Sequence, residues 1–310
     1  MSRFGLIGTI TYDVITHEAG SDFRGVGGVL HQAAVLCGLS EEVFLYTNLG
    51  EELSDEFSAA TKKWKTLHRQ GVNCVPGLGN RVFLDYPRSG ERLEVLKSVV
   101  PPLNPEKILH DLKDLDFLVL VMNSGFDLEK EDWQKIRREA VCPIWLDVHS
   151  LLLEKKLNSL RRYISFPDWR EWAECVHYFQ ANSAEVASML GQPGADLSET
   201  DMRRFGEMAL ELGVHAVFMT LGEEGALVMT ESQTKKISVK NDTSVVDSTG
   251  CGDVFCAGTA AKLVEGMDPF EAARYGLQLA SAAVGIAGIH ATYELALKFA
   301  VANGRQSKIS

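Results

Sequence analysis

A short glycine-rich segment in the last quarter of the sequence carries the residues best suited to chemistry. An extended Val-Val pair precedes the string Asp-Ser-Thr-Gly-Cys-Gly-Asp, which ends at Asp253 and leads into a helical apolar pattern. Small residues at a helix start expose backbone N–H groups, and the helix dipole adds partial positive charge, so Gly250, Cys251 and Gly252 predict an anion hole. Asp253 would lie beside the anion and accept a proton from an attacking hydroxyl. The alternative is an ordinary first-turn acid after a tight turn.

The elements that must position this segment follow an alternating pattern. Short apolar runs such as residues 4–10, 117–122 and 216–220 alternate with amphipathic stretches such as residues 130–140 and 199–213. Strands rich in Val, Leu, Ile and Phe that alternate with helices are typical of a parallel sheet covered on both faces. The sequence therefore predicts a three-layer α/β/α core with a mostly parallel sheet.

One region breaks the alternation. Residues 72–100 contain three glycines and two prolines around two short alternating pieces, residues 81–86 and 92–97. This pattern is typical of a hairpin rather than a crossover unit. We predict a single domain over residues 1–310, in which residues 72–100 contribute most of a small β-lid.

With these elements in place, the sequence resembles the ribokinase-like, PfkB-type carbohydrate kinase family. The glycine-rich segment resembles the family signature Asp-Thr-Thr-Gly-Ala-Gly-Asp, with Cys251 in place of Ala. Residues 25–34 resemble a second signature, Gly-Gly-x-x-x-Asn-x-Ala, with Gln32 in place of Asn. Five motifs occur in the family's order across residues 8–288. The resemblance implies a ribokinase-like fold in which Asp253 is the catalytic base.

The resemblance also assigns an acceptor pocket. It implies that Asp13 binds sugar hydroxyls, for which two carboxylate oxygens are chemically suited. It implies that Gly27 and Gly28 let the substrate approach the backbone and that Gln32 contacts it. Because Gln32 is one methylene longer than Asn, the sugar or its orientation would differ from ribose. Taken alone, Asp13 is typical of an acid in a turn. Gly27, Gly28 and Gln32 alone are typical of a core helix that begins after glycines.

Further motifs point to the nucleotide and its metal. Asn182 and Glu185 are three residues apart at the start of a helical pattern, so they share one helix face. They resemble the family's Asn-x-x-Glu element, which implies that they organise magnesium through water. In isolation the same pair describes a helix cap. Asp147 and His149 end an apolar run where the family has Asp-x-Asn-x-Arg, and their role stays open. The residues that the resemblance places near the nucleotide are Thr220, Gly222, Gly225 and Gly288.

The implied reaction is transfer of the γ-phosphoryl group of ATP to a hydroxyl, in the family an exocyclic hydroxymethyl, of a sugar or sugar-like metabolite. ATP and Mg²⁺ are the implied cofactors, with a monovalent cation as a further candidate. The lid would close over the acceptor, and its strands are candidates for a homodimer contact. Two alternatives stay open: a nucleoside kinase of the same fold, and a non-catalytic ligand-binding pseudokinase, suggested by the departures at Cys251 and Gln32.

Composition and charge restrict the classes of partner. The chain has 310 residues, 42 acidic and 31 basic side chains, a net charge of −11 and 45% hydrophobic residues. This acidic balance argues against nucleic acid or an anionic membrane as a partner. No apolar run reaches the roughly 18 to 20 residues that span a bilayer, and no signal-peptide pattern is evident, so we expect a cytoplasmic protein. The six cysteines contain no C-x-x-C pair, which disfavours a zinc site.

Overall fold

The computed structural model describes residues 1–18, 22–87, 92–240, 244–302 and 304. The strands are β1 (Arg3–Ile7), β2 (Ile10–His17), β3 (Phe23–Gly28), β4 (Glu42–Gly50), β5 (Leu67–Val75), β6 (Asn80–Tyr86), β7 (Leu93–Ser98), β8 (Phe117–Val121), β9 (Ile144–Asp147), β10 (Tyr178–Asn182), β11 (Ala216–Thr220), β12 (Ala226–Thr230) and β13 (Thr234–Ile237). The helices are α1 (Leu30–Gly38), α2 (Ser54–Ala60), α3 (Glu106–Asp111), α4 (Lys130–Glu139), α5 (Trp169–Ala173), α6 (Ser183–Met189), α7 (Glu199–Leu210), α8 (Cys251–Leu263), α9 (Pro269–Ala283) and α10 (Gly288–Ala302).

Nine strands form the large sheet, in the order β13-β12-β11-β10-β9-β8-β1-β4-β5. Every neighbouring pair from β11 to β5 is parallel, and β12 runs antiparallel to both β11 and β13. The central strand β8 has the sequence Phe-Leu-Val-Leu-Val and is buried at all five positions. Continuous apolar strands are expected where both faces of a parallel sheet are covered. The predicted mostly parallel α/β sheet is confirmed.

Helices cover both faces of the large sheet and bury two hydrophobic clusters. One cluster contains apolar residues of α1, α8, α9 and α10, and the other contains those of α3, α4, α5, α6 and α7. The tryptophans Trp133, Trp145 and Trp169 are among the largest fully buried side chains. The three-layer arrangement predicted from the sequence is therefore present. Among the helices in the described ranges, none is long and apolar enough to cross a membrane.

A second sheet of four strands, in the order β3-β2-β6-β7, forms the lid. β2 pairs antiparallel with β3 and parallel with β6, and β6 pairs antiparallel with β7. Ile15, Val82, Leu84 and Leu96 form its small apolar core.

The sequence analysis assigned too much of this lid to residues 72–100. That segment supplies β6 and β7, whereas residues 72–75 belong to β5 in the large sheet and residues 88–91 lie outside the described part. The other half of the lid is β2 and β3. The apolar run at residues 4–10 concealed this boundary, because the chain leaves the large sheet after Ile7 and resumes as β2, which pairs with a segment about 70 residues away.

Candidate active site

A cavity of about 840 Å³ lies between the lid and the carboxyl ends of the parallel strands. Ligands of open α/β sheets generally bind at this edge. Asp147, Asn182 and Thr220 reach the cavity from the ends of β9, β10 and β11. The sequence-predicted residues that line it are Asp13, Gly28, Asn182, Glu185, Thr220, Gly222, Gly225, Gly250, Cys251, Gly252 and Asp253. Residues that are distant in sequence but share predicted roles therefore meet in one cavity.

The predicted anion hole lies at the N-terminus of α8. Gly250 is the N-cap residue and has a φ of +77°, a left-handed conformation that glycine adopts without strain. The Cys251 N–H donates to the Ser248 carbonyl at 3.2 Å. Gly252 lies one residue further into the first turn, where N–H groups have no intrahelical acceptor. The helix start thus presents partial positive charge and the Gly252 N–H to an anion, whereas the Cys251 N–H, one of the three predicted donors, is already bonded within the turn.

A hydroxyl pair connects this turn to the lid. The Tyr86 hydroxyl at the end of β6 lies 2.8 Å from the Thr249 hydroxyl and shares a hydrogen bond with it. The Thr249 N–H also donates to Asp247 at 2.8 Å. The turn before α8 is therefore fixed by one hydrogen bond within itself and by one to the lid. A change in the position of the lid would move the N–H groups of this turn.

Asp253 is partly buried on the first turn of α8 and faces the cavity. Desolvation raises its pKa above the ordinary value, and the charges of His31 and His149 oppose that rise. The side-chain amide of Gln32 donates a hydrogen bond to Asp253 Oδ1. A carboxylate in this setting is a stronger base than one in water and is held in one orientation.

Gln32 occupies a different place from the one predicted. Its side chain is fully buried in α1, and it is not among the residues that line the cavity in the described ranges. The extra methylene relative to Asn carries the amide to Asp253, on a helix 221 residues further along the chain. Gln32 therefore contacts the candidate base rather than the substrate pocket.

Asp13 projects from β2 into the lid side of the cavity. The residue is only 5% exposed, and burial raises the pKa of Asp13 to about 6. Gly27, predicted to contact substrate, is not a cavity residue in the described structure. A Cβ at Gly27 would lie 2.0 Å from Asp13 Oδ2, so the glycine makes room for the carboxylate. Gly28, the next residue, does line the cavity.

Asn182 and Glu185 form a reciprocal helix cap and also line the cavity. The Asn182 side chain accepts from the Glu185 N–H at 2.9 Å, and Glu185 Oε2 accepts from the Asn182 N–H at 2.7 Å. Glu185 Oε1 lies 3.3 Å from His149 Nδ1. Burial acts to lower the pKa of His149, but the hydrogen bond and charge of Glu185 raise it to about 9. Asn182 and Glu185 thus both cap α6 and contribute polar groups to the cavity.

These residues fit a magnesium ion that keeps its water shell. Burial and the Glu185 charge raise the pKa of Asp147 well above its ordinary value, which marks an excess of carboxylates on this wall of the cavity. Mg²⁺ commonly retains several waters and uses few protein carboxylates. In the described ranges no group of three His, Cys, Asp or Glu side chains is arranged to hold a metal directly. Both oxygens of Glu185 are already engaged, one in the helix cap and one with His149, and such a donor set suits contact through water.

The predicted nucleotide residues divide into two groups. Thr220, Gly222 and Gly225 line the cavity, whose wall here also contains the apolar side chains Leu277 and Ala280 of α9. Gly288 is not among the described cavity residues. It begins α10 and abuts the lid, since a Cβ there would lie 2.6 Å from the Phe23 ring. The nucleotide role of Gly288 stays a prediction.

The sequence analysis missed His31, Tyr86 and Arg92, which also line the cavity. His31 is 7% exposed on a helix whose other residues are apolar or small except for Gln32. An imidazole on such a helix is the signal that could have identified it. Tyr86 and Arg92 lie on lid strands or beside them, and their positions depend on the pairing of β2 with β6.

Cys251 is expected to be chemically inert. Burial raises the pKa of its thiol to about 12, so the reactive thiolate is scarce at neutral pH. We predict that Cys251→Ala keeps kcat within about twofold and that brief iodoacetamide treatment leaves wild-type activity unchanged. Activity assays before and after treatment check this. A large loss of wild-type activity that the variant resists would contradict it.

Comparison with known proteins identifies the class. Arabidopsis thaliana ribokinase, solved with ribose and ATP, has a TM-score of 0.76 at 18% identity, with 96% of this chain and 98% of that chain covered. A Burkholderia thailandensis nucleoside kinase, solved with inosine, has a TM-score of 0.72 at 18% identity and covers 98% of both chains. The chain therefore has the ribokinase-like fold.

The sequence comparisons show which proteins the chain is similar to. A family model described as pfkB family carbohydrate kinase matches residues 150–294. The deoxyribokinase of Salmonella typhi is 24% identical over 310 residues, with 93% of this chain and 94% of the relative covered. These matches support the resemblance to PfkB-type carbohydrate kinases and a role as a sugar or nucleoside kinase, as the motifs predicted.

Proposed function

We propose that the protein transfers the γ-phosphoryl group of ATP to a hydroxyl, of the exocyclic hydroxymethyl type, on a sugar or sugar-like metabolite. The observation that carries the proposal is the position of Asp253, a desolvated carboxylate on the first turn of α8, beside the anion hole. Asp13 faces the same cavity from the lid. One cavity thus combines a base, an anion site and a carboxylate that can accept hydrogen bonds from sugar hydroxyls.

In the proposed reaction Asp253 accepts the proton of the attacking hydroxyl. The hydrogen bond from Gln32 holds Asp253 Oδ1, which leaves the second carboxylate oxygen for the acceptor. Phosphoryl transfer passes through a loose transition state, so alignment and charge stabilisation supply most of the rate. The N-terminus of α8, with the Gly252 N–H, stabilises charge on the transferring oxygens.

Asn182 and Glu185, which line the same cavity, would hold Mg²⁺ through water. When bound, the ion offsets the negative charge of the nucleotide phosphates. The imidazole of His149, bonded to Glu185, fixes the orientation of that carboxylate. Support for ATP as donor comes from the Arabidopsis ribokinase, which was solved with ATP. The apolar residues Leu277 and Ala280 suit the base of such a nucleotide.

The lid would exclude water while the acceptor is bound. Asp13 on β2 and Tyr86 on β6 belong to the same four-stranded sheet, and Tyr86 bonds to the anion-hole turn. Movement of this sheet would therefore position Asp13 and the turn before α8 at the same time. Exclusion of water limits hydrolysis of ATP without an acceptor. We further propose a homodimer through lid strands, on the family resemblance, and a cytoplasmic location, on the sequence pattern.

An acceptor panel tests the proposed function. Purified protein with ATP and Mg²⁺ is offered pentoses, hexoses, deoxyribose and nucleosides, and ADP release and phosphorylated product are measured. The proposal predicts product from at least one free sugar. Nucleoside-only turnover would identify the second candidate, for which the inosine-bound neighbour is a precedent. Saturable ligand binding without ADP release would instead support the pseudokinase and contradict the proposal.

Asp13→Asn tests the acceptor pocket. Loss of a charged hydrogen-bond acceptor should raise the KM for the sugar by about 10- to 100-fold, while the KM for ATP changes little. The exposed residue Asp55 provides a matched control as Asp55→Asn. Steady-state kinetics with each substrate varied in turn measure the effect. An unchanged sugar KM in Asp13→Asn would remove Asp13 from the pocket.

The same variant tests the burial of Asp13. Because the pKa rises from 3.8 to about 6 on folding, the native protein keeps a proton that the unfolded chain releases between these pH values. The free energy of unfolding should therefore fall by about 2 kcal/mol in wild type relative to Asp13→Asn as the pH rises from 4 to 6. Denaturant titrations at several pH values measure this. Parallel pH dependences for the two proteins would contradict it.

A further inference from the structure

His31 is an ionisable side chain in a helix where apolar residues would suffice. Every residue of α1 is buried, and His31 retains 7% exposure, directed at the cavity that it lines. Polar side chains are rarely buried without a partner or a function. None of the mechanism above uses this imidazole. Its position therefore calls for a separate explanation.

The His31 ring lies between the acceptor carboxylate and the anion hole. A Cβ on Gly250 would lie 2.5 Å from His31 Nδ1, so this edge of the ring lies directly beneath the helix start. A Cβ on Gly27 would lie 3.3 Å from His31 Nε2 and 2.0 Å from Asp13 Oδ2. The imidazole thus extends from the neighbourhood of Asp13 to the anion hole, across the place where acceptor hydroxyl and phosphoryl group must meet.

On the basis of the proposed function, we propose that His31 is a catalytic residue that donates a hydrogen bond to the phosphoryl group during its transfer. In the balanced step, the bond from phosphorus to the ADP oxygen breaks and ADP keeps the electron pair. The acceptor oxygen forms the new bond to phosphorus, and its proton passes to Asp253. His31 makes no covalent bond. It adds a donor at the edge of the anion hole, beside the Gly252 N–H.

The electrostatics of Asp253 support this position. His31 stands first among the charged groups that lower the pKa of Asp253, against a larger rise from desolvation. Removing the imidazole should therefore raise that pKa and leave more of the base protonated near neutral pH. In the described part of the chain, further ionisable groups that interact with Asp253 include His149, Arg92, Asp13, Asp147, Cys251 and Cys256.

His31→Gln is the direct test, with His110→Gln on the exposed face of α3 as the matched control. We expect kcat to fall by about 100-fold in His31→Gln, with a KM for ATP within a few fold. The acidic limb of the kcat–pH profile should also move to higher pH. A kcat within twofold of wild type overturns the proposal, and so does a lower kcat with an unmoved acidic limb, which indicates a structural role.

A spectroscopic measurement keeps the test independent of folding and turnover. In wild-type protein labelled with [15N]histidine, ring nitrogen signals are recorded with inorganic phosphate alone and with ADP, Mg²⁺ and aluminium fluoride. We expect the His31 signals to shift in both. Unshifted signals in both overturn the proposal, even if His31→Gln fails to fold. Absence of phosphorylated product from wild type contradicts the proposed function instead, and the phosphate titration still decides the contact at His31.

Discussion

Asp253→Asn is expected to lower kcat by about 10²- to 10⁴-fold while ATP affinity changes by no more than a few fold. The amide cannot take the proton of the acceptor hydroxyl, yet it has the shape of the carboxylate and keeps an oxygen for the Gln32 hydrogen bond. Transfer rates from product formation and ATP affinity from calorimetry separate the two effects. Near-normal turnover would show that Asp253 is not the base.

Stability distinguishes a base from an ordinary first-turn acid. Because desolvation raises the pKa of Asp253, its ionised form costs folding free energy at neutral pH, and Asp253→Asn should melt no lower than wild type. Asp201, in the reciprocal cap at the start of α7, provides the comparison. Asp201→Asn should leave kcat unchanged and lower the melting temperature slightly. A lower melting temperature with unchanged kcat in Asp253→Asn would indicate that Asp253 only caps its helix.

Gly250→Ala should have the second largest effect. The residue has a φ of +77°, and a Cβ there would lie 2.5 Å from His31 Nδ1. We expect kcat to fall by about 100-fold or more, because the helix start and the imidazole must move apart and the anion hole loses its geometry. Steady-state kinetics and thermal unfolding measure activity and stability in the same preparation.

Gly266→Ala is a control matched in backbone strain. Gly266 has a φ of +81°, and a Cβ there would meet no atom within 4 Å. Both variants carry the cost of about 1 to 2 kcal/mol for a side chain in the left-handed region. Only Gly250→Ala adds the collision with His31. Equal losses of kcat in the two variants would mean that backbone strain, and not the anion hole, accounts for the result.

The parts of the protein that depend on local sequence were predictable. The alternation of apolar runs gave the parallel core, because a strand buried on both faces, such as β8, must be apolar throughout. That residues 250–253 lie together at one helix start was predictable for a similar reason. They are consecutive in the sequence, so that their geometry follows from a single turn.

Features that depend on contacts between distant segments were not predictable. The lid was assigned incompletely because β2 pairs with β6, and no local pattern specifies that pairing. Gln32 was assigned to substrate because its reach to Asp253 depends on how α1 packs against α8. Gly27 makes space for a carboxylate on another strand, and Gly288 meets a lid phenylalanine. In each case the residue type suggested a ligand, whereas the tertiary neighbour determined the contact.

The most direct test of the central claim is the stoichiometry of product and ADP in wild type and Asp253→Asn. Protein, ATP, Mg²⁺ and an acceptor from the panel are incubated together, and the phosphorylated acceptor is quantified by mass spectrometry beside ADP. We predict one phosphorylated acceptor for each ADP in wild type and almost none of either in Asp253→Asn. ADP without phosphorylated acceptor, or equal product from the two proteins, would contradict the assignment of Asp253 as the base for transfer to a hydroxyl.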